Sequence, residues 1–92
     1  MIRSFRHRGL QRLFERDDRS KVRADMVEKI ERVLFLLNRA TGPDAVNLPG
    51  YRLHPLKGDL AGFWAVTVRA NWRIVWRFEG PDVLDVDLID YH

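Results

Sequence analysis

Phe63-Trp64-Ala65-Val66-Thr67-Val68-Arg69-Ala70-Asn71-Trp72-Arg73-Ile74-Val75-Trp76-Arg77-Phe78 decides the fold. Its large apolar residues return at every second position: Trp64, Val66 and Val68, then Trp72, Ile74, Trp76 and Phe78. Strand side chains alternate between faces, so a period of two marks strands with one buried side. The parity continues past Gly80-Pro81, where Leu84, Val86 and Leu88 are again even. Strands are therefore expected at Phe63–Val68, Trp72–Phe78 and Val83–Ile89, running as an antiparallel meander. Trp64, Trp72 and Trp76 share the even parity and are expected in the core rather than as base-stacking platforms. Keeping Val68 and Trp72 on one face requires a loop of odd length. Arg69-Ala70-Asn71 serves, with Asn71 in the left-handed conformation such loops need.

The odd positions form the second face. They include Arg69, Arg73, Arg77, Asp85, Asp87 and Tyr91. Just upstream, Tyr51 and Leu53 are expected to face inward, which turns Arg52 and His54 outward. One uncovered sheet face thus gathers groups able to bind phosphate or move protons. A polar outer face is also what any one-sided antiparallel sheet shows.

Before Tyr51 the period is nearer 3.6. Leu10, Leu13 and Phe14 suit a helix over Gly9 to Arg16, and residues 2–5 suit a short edge strand. In residues 21–39, Val22, Met26, Ile30, Val33, Leu34 and Leu37 fall at steps of three and four. Arg23, Glu28, Lys29, Glu31 and Arg32 take the other side. Asp18 or Ser20 would cap that helix and Thr41-Gly42-Pro43 would stop it. Residues 44–50 read as a loop closed by Pro49-Gly50. Helices followed by a meander give an α+β fold, with two N-terminal helices packed on one face of a small twisted antiparallel sheet. A chain of 92 residues is expected to form a single domain, 1–92.

The net charge is only +3, but it is unevenly spread. Residues 1–23 hold eight Lys or Arg against Glu15, Asp17 and Asp18, whereas residues 79–92 hold five acids and no Lys or Arg. The local positive field favours a polyanionic partner such as RNA. There is no cysteine, hence no disulfide and no thiolate chemistry. The opening Met-Ile-Arg-Ser-Phe-Arg lacks the apolar run of a signal peptide, and no stretch approaches the roughly 20 apolar residues of a membrane helix. The expectation is a cytoplasmic protein with no membrane partner. No metal or cofactor site is apparent: His7, His54 and His92 are far apart in sequence, without HxxxH spacing. No Gly-rich phosphate loop or nucleophile elbow is present either.

Three segments narrow the reading: Tyr51-Arg52-Leu53-His54-Pro55-Leu56-Lys57-Gly58, then Gly62-Phe63-Trp64-Ala65-Val66-Thr67-Val68-Arg69-Ala70-Asn71-Trp72-Arg73-Ile74, then Asp90-Tyr91-His92. Together with the opening Met1 to Leu10, they resemble HigB-type toxins, the plasmid-maintenance killer proteins of the RelE/ParE superfamily. The resemblance covers nearly the whole chain and is weakest from about Asp17 to Pro49. It implies a RelE-like fold in the toxin of a type II toxin–antitoxin system. It also implies metal-independent, ribosome-dependent cleavage of mRNA in the A site. The implied partners are a HigA-type helix-turn-helix antitoxin and the 70S ribosome with its mRNA, with operator DNA reached only through the antitoxin. His54, Arg73, Asp90, Tyr91 and His92 match the family's catalytic positions. Lys57, Arg69 and Asn71 match positions on the RNA.

The chemistry suits those residue types. RNA is cut without metal when its 2′-hydroxyl attacks the neighbouring phosphate. The step needs a base at that hydroxyl, positive charge on the phosphorane and an acid for the leaving 5′-oxygen. Histidine titrates near neutrality and fits either proton role. Arginine grips two phosphate oxygens with a planar fork and stays charged. His54 is read as the base and Arg73 as the charge stabiliser. His92 is read as the acid, and Tyr91 as stacking on a base or orienting the phosphate. Asp90 would orient a histidine or contact the base edge. The competing reading is a ParE-like gyrase poison of the same fold, which needs no proton-transfer pair.

Overall fold

In the computed structural model, which describes residues 1–91, two helices lie on one face of a four-stranded antiparallel sheet of order β1-β2-β3-β4. The helices are α1 (Arg8–Arg16) and α2 (Val27–Arg39). The strands are β1 (His54–Pro55), β2 (Phe63–Arg69), β3 (Trp72–Glu79) and β4 (Asp82–Asp90). The expected α+β architecture is present.

The core is the even face of the sheet packed against the helices. Val66, Ile74 and Trp76 meet Leu10, Ile30, Val33, Leu34 and Leu37, and all of these are essentially inaccessible to solvent. Each such side chain contributes roughly 1.5–3 kcal/mol by leaving water. The N-terminal segment completes the sheet beside β4. Ile2 and Phe5 make isolated parallel bridges to Val83 and Val86, where a short edge strand was expected.

Helix starts differ from the sequence reading. His7, to which no role was assigned, caps α1: its Nδ1 accepts the Leu10 N–H at 3.1 Å. Gly9 is required there, because a Cβ would lie 2.8 Å from both the His7 ring and the Lys21 carbonyl. The second helix begins later than residue 21, after a 3-10 turn at Ala24–Met26. Asp18 does not cap it. Its carboxylate instead accepts from the Ser20 N–H and hydroxyl, closing a local turn that takes the backbone out of helical register.

Two β-bulges overturn strict parity. In β2, Thr67 pairs with Arg73 but Arg69 pairs with Trp72, so Val68 is the extra residue. The loop is thus a two-residue turn, and the left-handed residue is Ala70 (φ 51°), not Asn71. In β4, Val75 pairs with Asp87 while Arg77 pairs with Leu84. Asp85, at φ 57°, absorbs the added residue. Val83 is therefore buried against the helices, and Leu84, expected inside, shares the outer face with Arg77.

The outer face is also less polar than expected. Phe63, Ala65 and Val75 form a second small apolar cluster under Leu56, flanked by Leu60 and Ile89. The segment after β1 folds over this half of the face. The half that stays polar lies toward Thr67, Arg73 and the β2–β3 turn.

Candidate active site

His54 is placed by its neighbours in sequence. Proline disfavours helical backbone in the residue before it, so His54 is extended. Pro55 lacks an N–H, which β1 tolerates because it is an edge strand. The register sets His54 opposite Ala65, on the outer face as expected, and leaves it partly exposed. Arg52, at φ 53°, turns its carbonyl toward the ring, and His54 Nδ1 lies 2.8 Å from that oxygen. A carbonyl can only accept, so Nδ1 carries the proton of the neutral ring and Nε2 presents its lone pair outward. The left-handed arginine costs about 1–3 kcal/mol. The hydrogen bond to the Arg52 carbonyl favours the Nδ1-protonated tautomer.

Arg73 lies in the next row of the same face. Its partner on β2 is Thr67 and on β4 is Ile89. From strand spacing and rise, the Cα atoms of His54 and Arg73 are on the order of 12 Å apart. Their side chains can therefore reach one phosphate from two sides. Arg73 Nη1 donates to the Ala70 carbonyl at 2.8 Å, so the strained turn anchors the guanidinium. Its Nε is buried and has no hydrogen-bond partner.

The C-terminal end of β4 is tied to the same turn. The Tyr91 N–H donates to the Asn71 carbonyl at 2.8 Å, and Asp90 pairs with Trp72. Tyr91 is 43% exposed, which suits a ring that meets a ligand rather than the core. Asn71 and Asp90 are both exposed. His92 lies outside the described residues. Lys57 is exposed just beyond β1, on the side of His54 away from Arg73.

Arg69 is a correction. The bulge at Val68 turns it to the side of Trp72, toward the helix layer, where its Nε meets Asp25 at 3.3 Å. It does not share the outer face with Arg73. Arg77 does share that face, but it is bound to Asp85 at 2.8 Å and to Glu79 at 3.3 Å. Sequence reasoning missed two supporting groups, the Arg52 and Ala70 carbonyls, which no residue type marks.

Comparisons with known proteins bear on the fold and the family. The YoeB/ParE toxin from Agrobacterium tumefaciens is 25% identical, with a TM-score of 0.58 over 99% of this chain and 96% of that one. YafQ from E. coli strain BL21(DE3) has a TM-score of 0.64 over 96% of this chain and 89% of that one. At 16% identity the YafQ likeness concerns the fold alone. The fold is that of the RelE-like toxins. Residues 3–92 match the family described as RelE-like toxin of type II toxin–antitoxin system HigB. The Endoribonuclease HigB of Proteus vulgaris is 46% identical over 92 residues, all of both chains. The chain belongs to the HigB-like toxin family. Among the described residues, no helix is long and apolar enough to cross a membrane.

Proposed function

We propose that this chain is an endoribonuclease that cuts mRNA on the ribosome and is held in check by a HigA-type antitoxin. His54 Nε2 takes the proton of the 2′-hydroxyl as that oxygen attacks the adjacent phosphate. Arg73 holds the phosphorane, and Lys57 holds the RNA backbone on the far side of His54. The 5′-oxygen leaves with a proton from the Tyr91-His92 end of the chain. Asp90 and Asn71, at the same turn, contact the base. Arg69, on the helix side, meets phosphate outside the reacting group.

The observation that carries this reading is the bond between His54 Nδ1 and the Arg52 carbonyl on the face that bears Arg73. The bond holds the ring in one tautomer and leaves Nε2 as the nitrogen able to accept a proton, which supports a general-base role. The test is primer extension on mRNA from cells expressing the chain or its His54→Ala variant. Cuts inside reading frames are expected from the wild type only, because a lost acid–base group costs roughly 10²–10⁴ in rate. The position is partly exposed, so the alanine protein should melt within a few degrees of wild type. DNA breaks without mRNA cuts would instead make the chain a gyrase poison. A folded alanine variant that still cuts would remove His54 from the mechanism.

A further inference from the structure

Among the described residues, three buried side-chain polar atoms lack a hydrogen-bond partner: Thr67 Oγ1, Arg73 Nε and Trp76 Nε1. Trp76 points into the helix-side core and stands apart. The other two belong to directly opposed residues, since Thr67 on β2 pairs with Arg73 on β3. Opposed side chains share a face, with Cβ atoms roughly 4.5–5.5 Å apart. Each unpaired buried group carries a desolvation cost that one bond between the two would remove. Arg73 Nε–H is a donor, and the Thr67 hydroxyl oxygen is an acceptor.

We propose that Thr67 is a positioning residue for Arg73: its hydroxyl oxygen accepts the Nε–H when the guanidinium closes on the scissile phosphate. The inference rests on the reading of Arg73 as the ligand of the phosphorane. Here Nη1 is tethered to the Ala70 carbonyl at 2.8 Å while Nε waits unpaired. A small rotation of the guanidinium completes the second tether. Three protein acceptors, the Ala70 and Trp72 carbonyls on Nη1 and Thr67 on Nε, then fix the plane of the fork. The N–H bonds of Nη2 are left to turn toward the phosphate. Without Thr67 the fork would be held at one corner only. Its charge would still attract RNA, but its alignment with the phosphorane would be lost.

The experiment is single-turnover mRNA cleavage on programmed ribosomes, with thermal melts alongside. The proteins are wild type, Thr67→Val, Thr67→Ala, Thr67→Ser, Arg73→Lys and the double variant Thr67→Val with Arg73→Lys. Valine keeps the shape and removes the hydroxyl. The Thr67→Val protein is expected to melt at or above the wild-type temperature, because an unpaired buried hydroxyl is gone. Its maximal rate should fall roughly tenfold, the size of one hydrogen bond to a charged group, with little change in the ribosome concentration at half-saturation. Thr67→Ala should match it, which guards against misfolding of the valine protein. Thr67→Ser should keep the wild-type rate. In the Arg73→Lys background, which has no Nε–H, Thr67→Val should cost nothing further. Full-rate cleavage by both the valine and alanine proteins, a serine variant as slow as valine, or the same loss in both backgrounds would each overturn the proposal. A wild-type protein that cuts nothing would overturn the reading of the site, and this inference with it.

Discussion

Arg73 and Arg77 stand on the same strand, four residues apart and on the same face. Arg77 is saturated by acids. Its Nε donates to Asp85 and its Nη1 to Glu79, and both bonds strengthen its hold on its proton. Arg73 has no carboxylate partner among the described residues; carbonyl oxygens hold it, and its Nε is unpaired. A carboxylate cancels the charge it binds, whereas a carbonyl orients a guanidinium and leaves the charge in place. The difference separates an arginine that fastens a hairpin from one set to meet a phosphorane. The turns differ in the same sense. The β3–β4 hairpin turns through Gly80 (φ 57°), where a left-handed residue costs nothing, while the β2–β3 hairpin places Ala70 at φ 51°. Arg52 and Ala70 hold left-handed backbone beside His54 and Arg73, whereas beside Arg77 that conformation falls on Asp85, a residue type that tolerates it better.

Along β3 the largest expected effect is at Arg73. Arg73→Lys keeps one positive charge but loses the planar fork and the Nε–H. Single-turnover cleavage on ribosomes should fall roughly 10²-fold, the size seen when one preorganised donor to a developing anion is lost. Ribosome binding, spread over the whole basic surface, should persist. The melting temperature should hardly move, because no ion pair is broken. A lysine variant that cuts at the wild-type rate would reduce Arg73 to a diffuse contact and erase its contrast with Arg77.

Arg77→Met reverses the pattern. Methionine keeps the packing of the arginine stem and abandons the two carboxylates. The melting temperature should drop, while cleavage stays within about threefold of wild type, as for a surface change outside the site. If cleavage collapsed in a protein that still melts cooperatively, Arg77 would belong to the site and its acids would be a resting latch.

Much of this is legible in the sequence. Parity located Trp64, Val66, Ile74 and Trp76 in the core and His54 and Arg73 on the outer face, because a strand's side-chain period does not depend on what it packs against. Parity failed at the bulges, where an inserted residue reverses every later side chain. Val68 and Asp85 carry no composition that marks a bulge, so parity alone puts Arg69 and Leu84 on the wrong sides. The apolar patch of Phe63, Ala65 and Val75 was visible as odd apolar positions, but its cover by Leu56 depends on how the segment after His54 folds back. The carbonyls of Arg52 and Ala70 could not be read at all, since every residue has one. Only backbone conformation gives them a role.

The smallest expected effect is at Asp85, the acidic half of the Arg77 anchor. Its Oδ2 accepts from Arg77 Nε at 2.8 Å, with Arg6 Nη2 3.8 Å away and the Ser4 hydroxyl 3.4 Å from Oδ1. Arg77's hydrogen bond holds this carboxyl below the ordinary aspartate value of 3.8, against a smaller upward push from burial. The folded protein therefore binds this proton less readily than the unfolded chain does. The stabilisation is fully present above about pH 3.8 and is lost as pH falls through the lower folded-state value. Asp85→Asn isolates that charge. Asparagine tolerates the left-handed backbone found here, φ 57°, and keeps an oxygen for Ser4. At neutral pH the asparagine protein should melt slightly below wild type, because the pair is partly exposed and screened by solvent. The gap should narrow in high salt and close as pH falls below the folded-state value. Cleavage at neutral pH should be unchanged. A gap that ignores pH would mean that Asp85 acts through the bulge rather than through its charge. A loss of cleavage would join Arg77 to the chemistry and break the division of labour along β3.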